Sequence, residues 1–203
     1  MISTRSTRFA ILVTAGVVIS QSAFAHPGHS VSGFAGGAAH PLTGIDHVLA
    51  MLAVGIWAAQ LGGRALWLVP GAFVALMAGG GALGMATAMG HPLPGIESGI
   101  AASVLVLGLL IAMTVRAPLY VSVPLVGLFA MFHGYAHGAE MSEGMSAMGF
   151  SAGFVLATAA LHAAGIGMGL VTRRMLSAPL LFRATGAAIT LAGVLLIAGI
   201  IRA

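Results

Sequence analysis

Six long apolar segments follow one another along this chain, separated by short polar or glycine-rich stretches. A transmembrane helix needs about 20 predominantly apolar residues, and each segment is close to that length or longer. The pattern therefore predicts an all-α membrane protein, a bundle of six transmembrane helices. The predicted helices lie at roughly 43–61, 66–89, 96–115, 119–138, 146–171 and 182–201.

The first 25 residues predict a signal peptide. Arg5 and Arg8 give a basic start, residues 9–19 an apolar core, and Ala-Phe-Ala at 23–25 a cleavage site of small residues. Cleavage would leave one six-helix domain at 26–203. An uncleaved first helix is the alternative, and it gives the same orientation.

The arginines predict how the helices are oriented. Five of them fall in loops of one parity, and the loops of the other parity contain none. Because positively charged loops stay in the cytoplasm, both mature termini are predicted to lie outside. The helix ends that carry His and acidic residues are then on the outer face. The five loop arginines are Arg64, Arg116, Arg173, Arg174 and Arg183.

The composition supports a membrane protein and excludes several classes of function. Apolar residues make up 59% of the chain and charged residues 6%, which leaves too few charges for the surface of a soluble domain. The absence of Lys excludes a Walker A loop and a retinal Schiff base, and the absence of Cys excludes disulfides and thiolate metal sites. The net charge of +4 comes from dispersed arginines, so we expect no nucleic-acid partner.

Three short polar stretches contain most of the chemistry. Two are near copies, His-Pro-Leu-Thr-Gly-Ile-Asp at 40–46 and His-Pro-Leu-Pro-Gly-Ile-Glu at 91–97, and the third is His-Gly-Tyr-Ala-His-Gly-Ala-Glu at 133–140. Imidazole and carboxylate groups concentrated at helix ends predict a binding site for a divalent transition metal. The two copies also predict an internal, parallel duplication of a helix pair.

The third stretch predicts ligands on one helix face. His133, His137 and Glu140 follow i, i+4, i+7 spacing, so their side chains share a stripe. A zinc-protease helix would carry Glu directly after the first His, but Gly134 stands there. The alternative is a set of polar groups at the membrane surface.

Spacing alone leaves two roles open for each of the two acids in the repeated motif. Thr43 and Asp46 fit a capping box, and Glu97 in a first helical turn would complement the helix dipole. Their matched positions favour ligands instead. Capping does not explain His40 and His47, which are seven residues apart and share a face if the helix begins early.

The extended motif His-Pro-Leu-Thr-Gly-Ile-Asp-His-Val-Leu-Ala-Met, with Phe-His-Gly-Tyr-Ala-His-Gly-Ala-Glu further along, resembles the hydrogenase/urease accessory permeases of the HupE/UreJ family. The resemblance covers essentially the whole mature chain. It implies secondary uptake of nickel, or cobalt, across the bacterial inner membrane for hydrogenase or urease maturation, with no prosthetic group. The metal ligands that it implies are His40, Asp46, His47, Glu97, His133, His137 and Glu140.

Four further histidines are secondary candidates for metal binding. His162 lies deep in the fifth segment. Its imidazole either forms a hydrogen bond between helices or acts as a relay ligand below the outer site. His26 and His29 would stand at the mature terminus, as metal-capturing groups or as part of a solvated leader. His91 begins the second copy of the motif. The methionines considered as soft ligands are Met141, Met145 and Met148.

Two other classes of function remain open at this point. One is a zinc-dependent membrane hydrolase, in which three His and one Asp hold zinc and its bound water. Its accessory groups would come from Ser98, Ser103 or Ser142. The other is an accessory protein that donates metal to a partner without transporting it. Transport requires a second polar station toward the cytoplasm, and His162 is the residue available for it.

Overall fold

The computed structural model describes residues 33–87, 93–139, 141 and 146–202. Within these ranges the chain forms seven α-helices and no strand. They are α1 (Phe34–Thr43), α2 (Ile45–Leu61), α3 (Ala65–Thr87), α4 (Ile96–Ala112), α5 (Leu119–Ala139), α6 (Ala147–Arg173) and α7 (Ala178–Arg202). The expected signal peptide lies outside the described residues, and so do His26, His29, His91, Glu140, Ser142 and Met145.

All six apolar segments predicted from the sequence are helical, with bounds that differ by a few residues. Helices α3, α5, α6 and α7 are long and apolar enough to cross a membrane. Helices α1 and α2 together qualify as a fifth span, although they are bent by 86° at a break, and α4 is apolar but has 17 residues. The described chain is thus an all-helical, multi-pass membrane protein, and the count of six spans stays a prediction.

The helices α3 and α5 run parallel and in close contact. Gly80 lies against Met131, and one turn further along Gly84 lies against Tyr135 and Ala139. The contacts advance along both helices together, which defines parallel packing. Glycines at these positions let the two backbones approach, as in many pairs of membrane helices.

The other close helix pairs have directions that agree with alternating membrane crossings. Helices α2 and α6 are parallel, since Gly55 faces Gly165 and Ile56 faces Gly169. Helices α4 and α7 are antiparallel. Their close contacts move forward along α4 as they move backward along α7. A chain whose helices cross in alternation requires all three relationships, so the packing agrees with alternating crossings independently of hydropathy.

Helix α2 is the centre of the bundle, with twelve of its 17 residues buried. Its first turn carries His47 and its last turn carries Gln60. Near Gln60 the structure brings together Arg116 and Arg173, which line a cavity of about 330 Å³, and Arg173 Nη1 donates to the carbonyl oxygen of Ala59 at 2.9 Å. We call this the arginine end and the opposite end, with His47, the histidine end.

The two copies of the repeated motif each lead into a helix of the same length, and the duplication itself stays a prediction. Helices α2 and α4 both begin at Ile after Gly and both have 17 residues. The glycines differ in conformation, because Gly44 is extended with φ −97° and Gly95 is left-handed with φ 87°. Helix α4 ends earlier than predicted, at Ala112, and Thr114 just beyond it has a positive φ of 52°.

Candidate metal centre

The break between α1 and α2 brings two imidazoles against α5. His40 in the last turn of α1 and His47 in the first turn of α2 both contact His137, with ring centroids 4.5 Å apart in each pair. The expectation that His40 and His47 share a face of one helix is wrong, since the chain breaks at Gly44. The two rings reach His137 from two different helices.

His133, one turn before His137 on α5, completes a group of four imidazoles, with its ring centroid 5.0 Å from that of His47. His133 is fully buried, and His47 and His137 are each 8% exposed. Polar contacts are stronger in such surroundings than in water. We call the following residues the histidine cluster: His40, Asp46, His47, His133 and His137. The aromatic rings around it belong to Phe73, Phe150 and Phe154.

Hydrogen bonds join four members of the histidine cluster into a chain. Asp46 Oδ1 lies 2.8 Å from His47 Nδ1, His47 Nε2 lies 2.6 Å from His137 Nε2, and His137 Nδ1 lies 2.9 Å from His40 Nε2. An ionised carboxylate can only accept, so His47 donates through Nδ1. With neutral rings, His137 then donates to His47 through Nε2 and accepts from His40 through Nδ1.

The backbone orients His133. Its Nδ1 lies 2.9 Å from the carbonyl oxygen of Phe129, and a carbonyl can only accept, so Nδ1 carries the proton. The other nitrogen, Nε2, is unprotonated and is buried without a hydrogen-bond partner among the described residues. Such an atom costs about 1–3 kcal/mol, and an unprotonated imidazole nitrogen is the form that binds metal. His133 Nε2 is therefore the clearest candidate ligand atom.

Asp46 orients His47 and does not form the capping box considered above. The residue before the helix is Gly44, which has no side chain to cap it, and Thr43 Oγ1 instead donates to the carbonyl oxygen of His40 at 2.7 Å. Asp46 Oδ1 accepts from both the backbone N–H and Nδ1 of His47, each at 2.8 Å. A carboxylate in this position fixes the tautomer that leaves Nε2 available, as around many metal-binding histidines.

The histidine cluster has the donors for a metal ion but is drawn together more tightly than a metal site. In the part of the chain that is described, no three His or acidic side chains are already arranged to hold one ion. Two nitrogens bound to one ion at about 2.0–2.1 Å lie roughly 3.3 Å apart in tetrahedral geometry, whereas His47 Nε2 and His137 Nε2 are 2.6 Å apart. Binding between these rings requires a sub-ångström separation and displacement of their shared proton. Imidazole and carboxylate donors suit nickel, cobalt, zinc and copper alike.

A cavity of about 80 Å³ reaches His137 between α3, α5 and α6. Its lining includes Met77, Met85 and Met141. Met141 was predicted as a soft ligand, while the two methionines of α3 were missed because nothing distinguishes them within an apolar run. Met148 is 85% exposed. Thioether groups line the approach to the imidazoles and would suit a borderline or soft metal.

The other predicted site residues that the structure describes are not members of the histidine cluster. Glu97 is exposed in the first turn of α4. Of the serines proposed as hydrolase accessory groups, Ser98 and Ser103 are both on α4, and Ser103 Oγ donates to the carbonyl oxygen of Ile100 at 2.6 Å. His162 on α6 is 2% exposed, with its ring centroid 5.0 Å from that of Phe73.

Comparisons with known proteins agree with these observations. The family model described as HupE / UreJ protein matches residues 13–196. Protein HupE of Rhizobium leguminosarum bv. viciae is 44% identical over 185 residues, which cover 91% of this chain and 95% of the relative. No solved structure gives a significant match. The chain therefore belongs to the HupE/UreJ family of hydrogenase and urease accessory membrane proteins.

Proposed function

We propose that this chain is a secondary permease that imports nickel, or cobalt, across the bacterial inner membrane for hydrogenase or urease maturation. In this proposal the histidine end and both mature termini face the periplasm, and the arginine end faces the cytoplasm. The observation that carries the proposal is His133 Nε2, a buried nitrogen without a hydrogen-bond partner among the described residues, set within four imidazoles at one end of the helical bundle.

Capture of the ion is assigned to the histidine cluster. His133, His137 and His47 supply nitrogens, and His40 takes part through its contact with His137. Asp46 contributes the negative charge that a dication requires when it leaves water. Glu97 and Glu140 are proposed as further ligands on the strength of the family resemblance, and His26, His29 and His91 as secondary ligands.

The membrane potential can supply the energy for uptake. Moving one charge across 100 mV is worth about 2.3 kcal/mol, so a dication gains about 4.6 kcal/mol. Each 1.4 kcal/mol corresponds to a factor of ten in the ratio of inside to outside concentration. The gain for a dication therefore corresponds to accumulation on the order of 10³-fold. No nucleotide is needed for such a gradient, in agreement with a chain that lacks Lys and therefore a Walker A loop.

Radiolabelled nickel uptake into proteoliposomes with an imposed inside-negative potential tests the proposal. Wild-type protein should accumulate nickel in proportion to the potential, cobalt should compete, and the double variant His133→Ala, His137→Ala should not accumulate it. A matched control is Met168→Leu, a 43% exposed residue of α6, which should behave as wild type.

The same measurement separates the competing classes of function. Nickel that binds the wild-type protein but never enters the vesicles would show a metal-donating accessory protein. Zinc binding together with hydrolysis of added ester or peptide substrates, without accumulation of any ion, would show a membrane hydrolase. Either result contradicts the proposed permease.

A further inference from the structure

A second group of buried side chains, three of them potential ligands, lies where α6 meets α3. His162 and Thr158 are one turn apart on α6, and Phe73 and Met77 are one turn apart on α3. His162 and Met77 are each 2% exposed and Thr158 is fully buried. Thr158 Oγ1 lies 3.8 Å from Met77 Sδ, and the ring centroids of His162 and Phe73 are 5.0 Å apart. We call these four residues the inner group.

The imidazole of His162 does not serve as a hydrogen-bonded link between helices. Both of its ring nitrogens are buried and have no hydrogen-bond partner among the residues that the structure describes. An unsatisfied polar group costs several kcal/mol in a bilayer, so membrane helices normally pair such side chains across their contacts. A histidine kept in this position without a partner needs another role, and polar groups at this depth commonly mark ion pathways.

The inner group adjoins the histidine cluster at two points. Phe73 contacts His133 as well as His162, with ring centroids 5.5 Å and 5.0 Å away. Met77 lines the cavity that reaches His137. An ion that leaves His133 or His137 toward the bundle interior therefore meets the side chains of the inner group next.

We propose that His162 and Met77 form an inner metal station for a borderline divalent transition-metal ion such as nickel or cobalt, with Thr158 as an oxygen donor. One imidazole nitrogen, one thioether sulfur and one hydroxyl oxygen are a donor set that such ions accept. The role of the station in transit rests on the proposed permease function, but its ability to bind metal does not. A stop between the two ends lowers the cost of passing a dication through an apolar bundle.

Nickel binding to the purified full-length protein in nanodiscs tests the station without transport. Isothermal titration should give two nickel ions per chain for wild type and one for the double variant His133→Ala, His137→Ala. Adding His162→Phe to that double variant should remove the last ion. Met168→Leu, a change at an exposed residue of the same helix, should keep both. Thermal unfolding checks that each variant is folded, and His162→Gln replaces His162→Phe if the phenylalanine variant is not.

X-ray absorption at the nickel edge identifies the ligands of the inner ion. In the double variant we expect one sulfur scatterer, which Met77→Leu should remove. Wild-type protein that binds a single ion, or nickel binding in the double variant that survives both His162 substitutions, overturns the station.

Uptake measurements separate this inference from the proposed function. If wild type binds two ions but accumulates none, the permease proposal fails and the station stands as a binding site. If wild type accumulates nickel, His162→Phe should lower the uptake rate at least tenfold at equal protein abundance. Uptake at the wild-type rate in that variant overturns the place of the station in transit.

Discussion

The Nε2 atoms of His47 and His137 lie 2.6 Å apart, although the two residues are 90 positions apart in the chain. With neutral rings, the Asp46 carboxylate requires that the proton in this contact belong to His137. An ion that binds both nitrogens must displace it. His137 can move the proton to its own Nδ1, and His40, which faces Nδ1 at 2.9 Å, then changes from donor to acceptor.

The first prediction concerns this change of tautomer. Zinc, used as a diamagnetic probe, should convert His137 from the Nε2–H to the Nδ1–H form, while His47 and His133 keep Nδ1–H in both states. Nitrogen-15 NMR of histidine-labelled protein measures these forms, with His137→Ala used to assign the resonance. An unchanged Nε2–H form of His137 in zinc-saturated protein would contradict the proposed binding between the two rings.

The second prediction separates stability from function at His133. Because His133 Nε2 has no hydrogen-bond partner among the described residues, His133→Leu should leave the free energy of unfolding unchanged or raise it by about 1 kcal/mol. The same change should weaken nickel binding at least tenfold, since it removes the unprotonated nitrogen. Thermal unfolding and titration calorimetry measure the two effects. A large loss of stability with retained binding would assign His133 a structural role.

The third prediction compares the two acids of the repeated motif. Asp46→Asn should lower nickel affinity by about 10–100-fold, the usual cost of removing a partner that orients a metal-binding histidine. Glu97→Gln should also impair uptake, as the family resemblance implies, although Glu97 is exposed. Both variants are compared by titration and by uptake at equal protein abundance. If Asp46→Asn alone impairs uptake, the duplication is structural and the metal site is asymmetric.

The sequence was sufficient to predict the six long apolar segments as helical and to single out the residues that meet in the histidine cluster, because these depend on composition and spacing. It did not predict the break between α1 and α2. Pro41 lies inside α1 and does not mark its start, and Gly44 has φ −97°, a conformation open to any residue. The sequence around Gly44 therefore does not indicate the 86° bend, across which α1 packs on α6.

The inner group could not be predicted for a related reason. Phe73, Met77 and Thr158 lie within apolar runs where hydropathy gives no contrast, and only His162 is distinctive in sequence. Their association depends on which face of α6 meets α3. That choice is set by packing between helices rather than by the periodicity of either one.

The fourth prediction uses the glycine at the break. A Cβ added at Gly44 would lie 2.6 Å from Asp46 Oδ1 and 2.9 Å from His47 Nδ1. Gly44→Ala should therefore displace the carboxylate from the imidazole and reduce nickel affinity about tenfold or more, by the same loss of orientation as Asp46→Asn. The control is Gly71→Ala, since a Cβ at Gly71 in α3 has no atom within 4 Å. Equal nickel affinity in the two variants would show that the Asp46–His47 contact does not contribute to binding.

The last prediction tests the parallel packing of α3 and α5, which positions the cavity beside His137. Gly79 and Gly80 are adjacent on α3, but a Cβ at Gly80 would lie 2.6 Å from the carbonyl oxygen of Met131, and one at Gly79 has no atom within 4 Å. Gly80→Ala should destabilise the protein by about 1–3 kcal/mol through overpacking. Gly79→Ala should instead stabilise it by about 0.5–1 kcal/mol, because Gly is a poor residue inside a helix. Reversible unfolding of the two variants in the same detergent measures the difference. Equal stabilities would mean that α3 and α5 are not in backbone contact. The positions described above for the cavity and for the inner group would then be wrong.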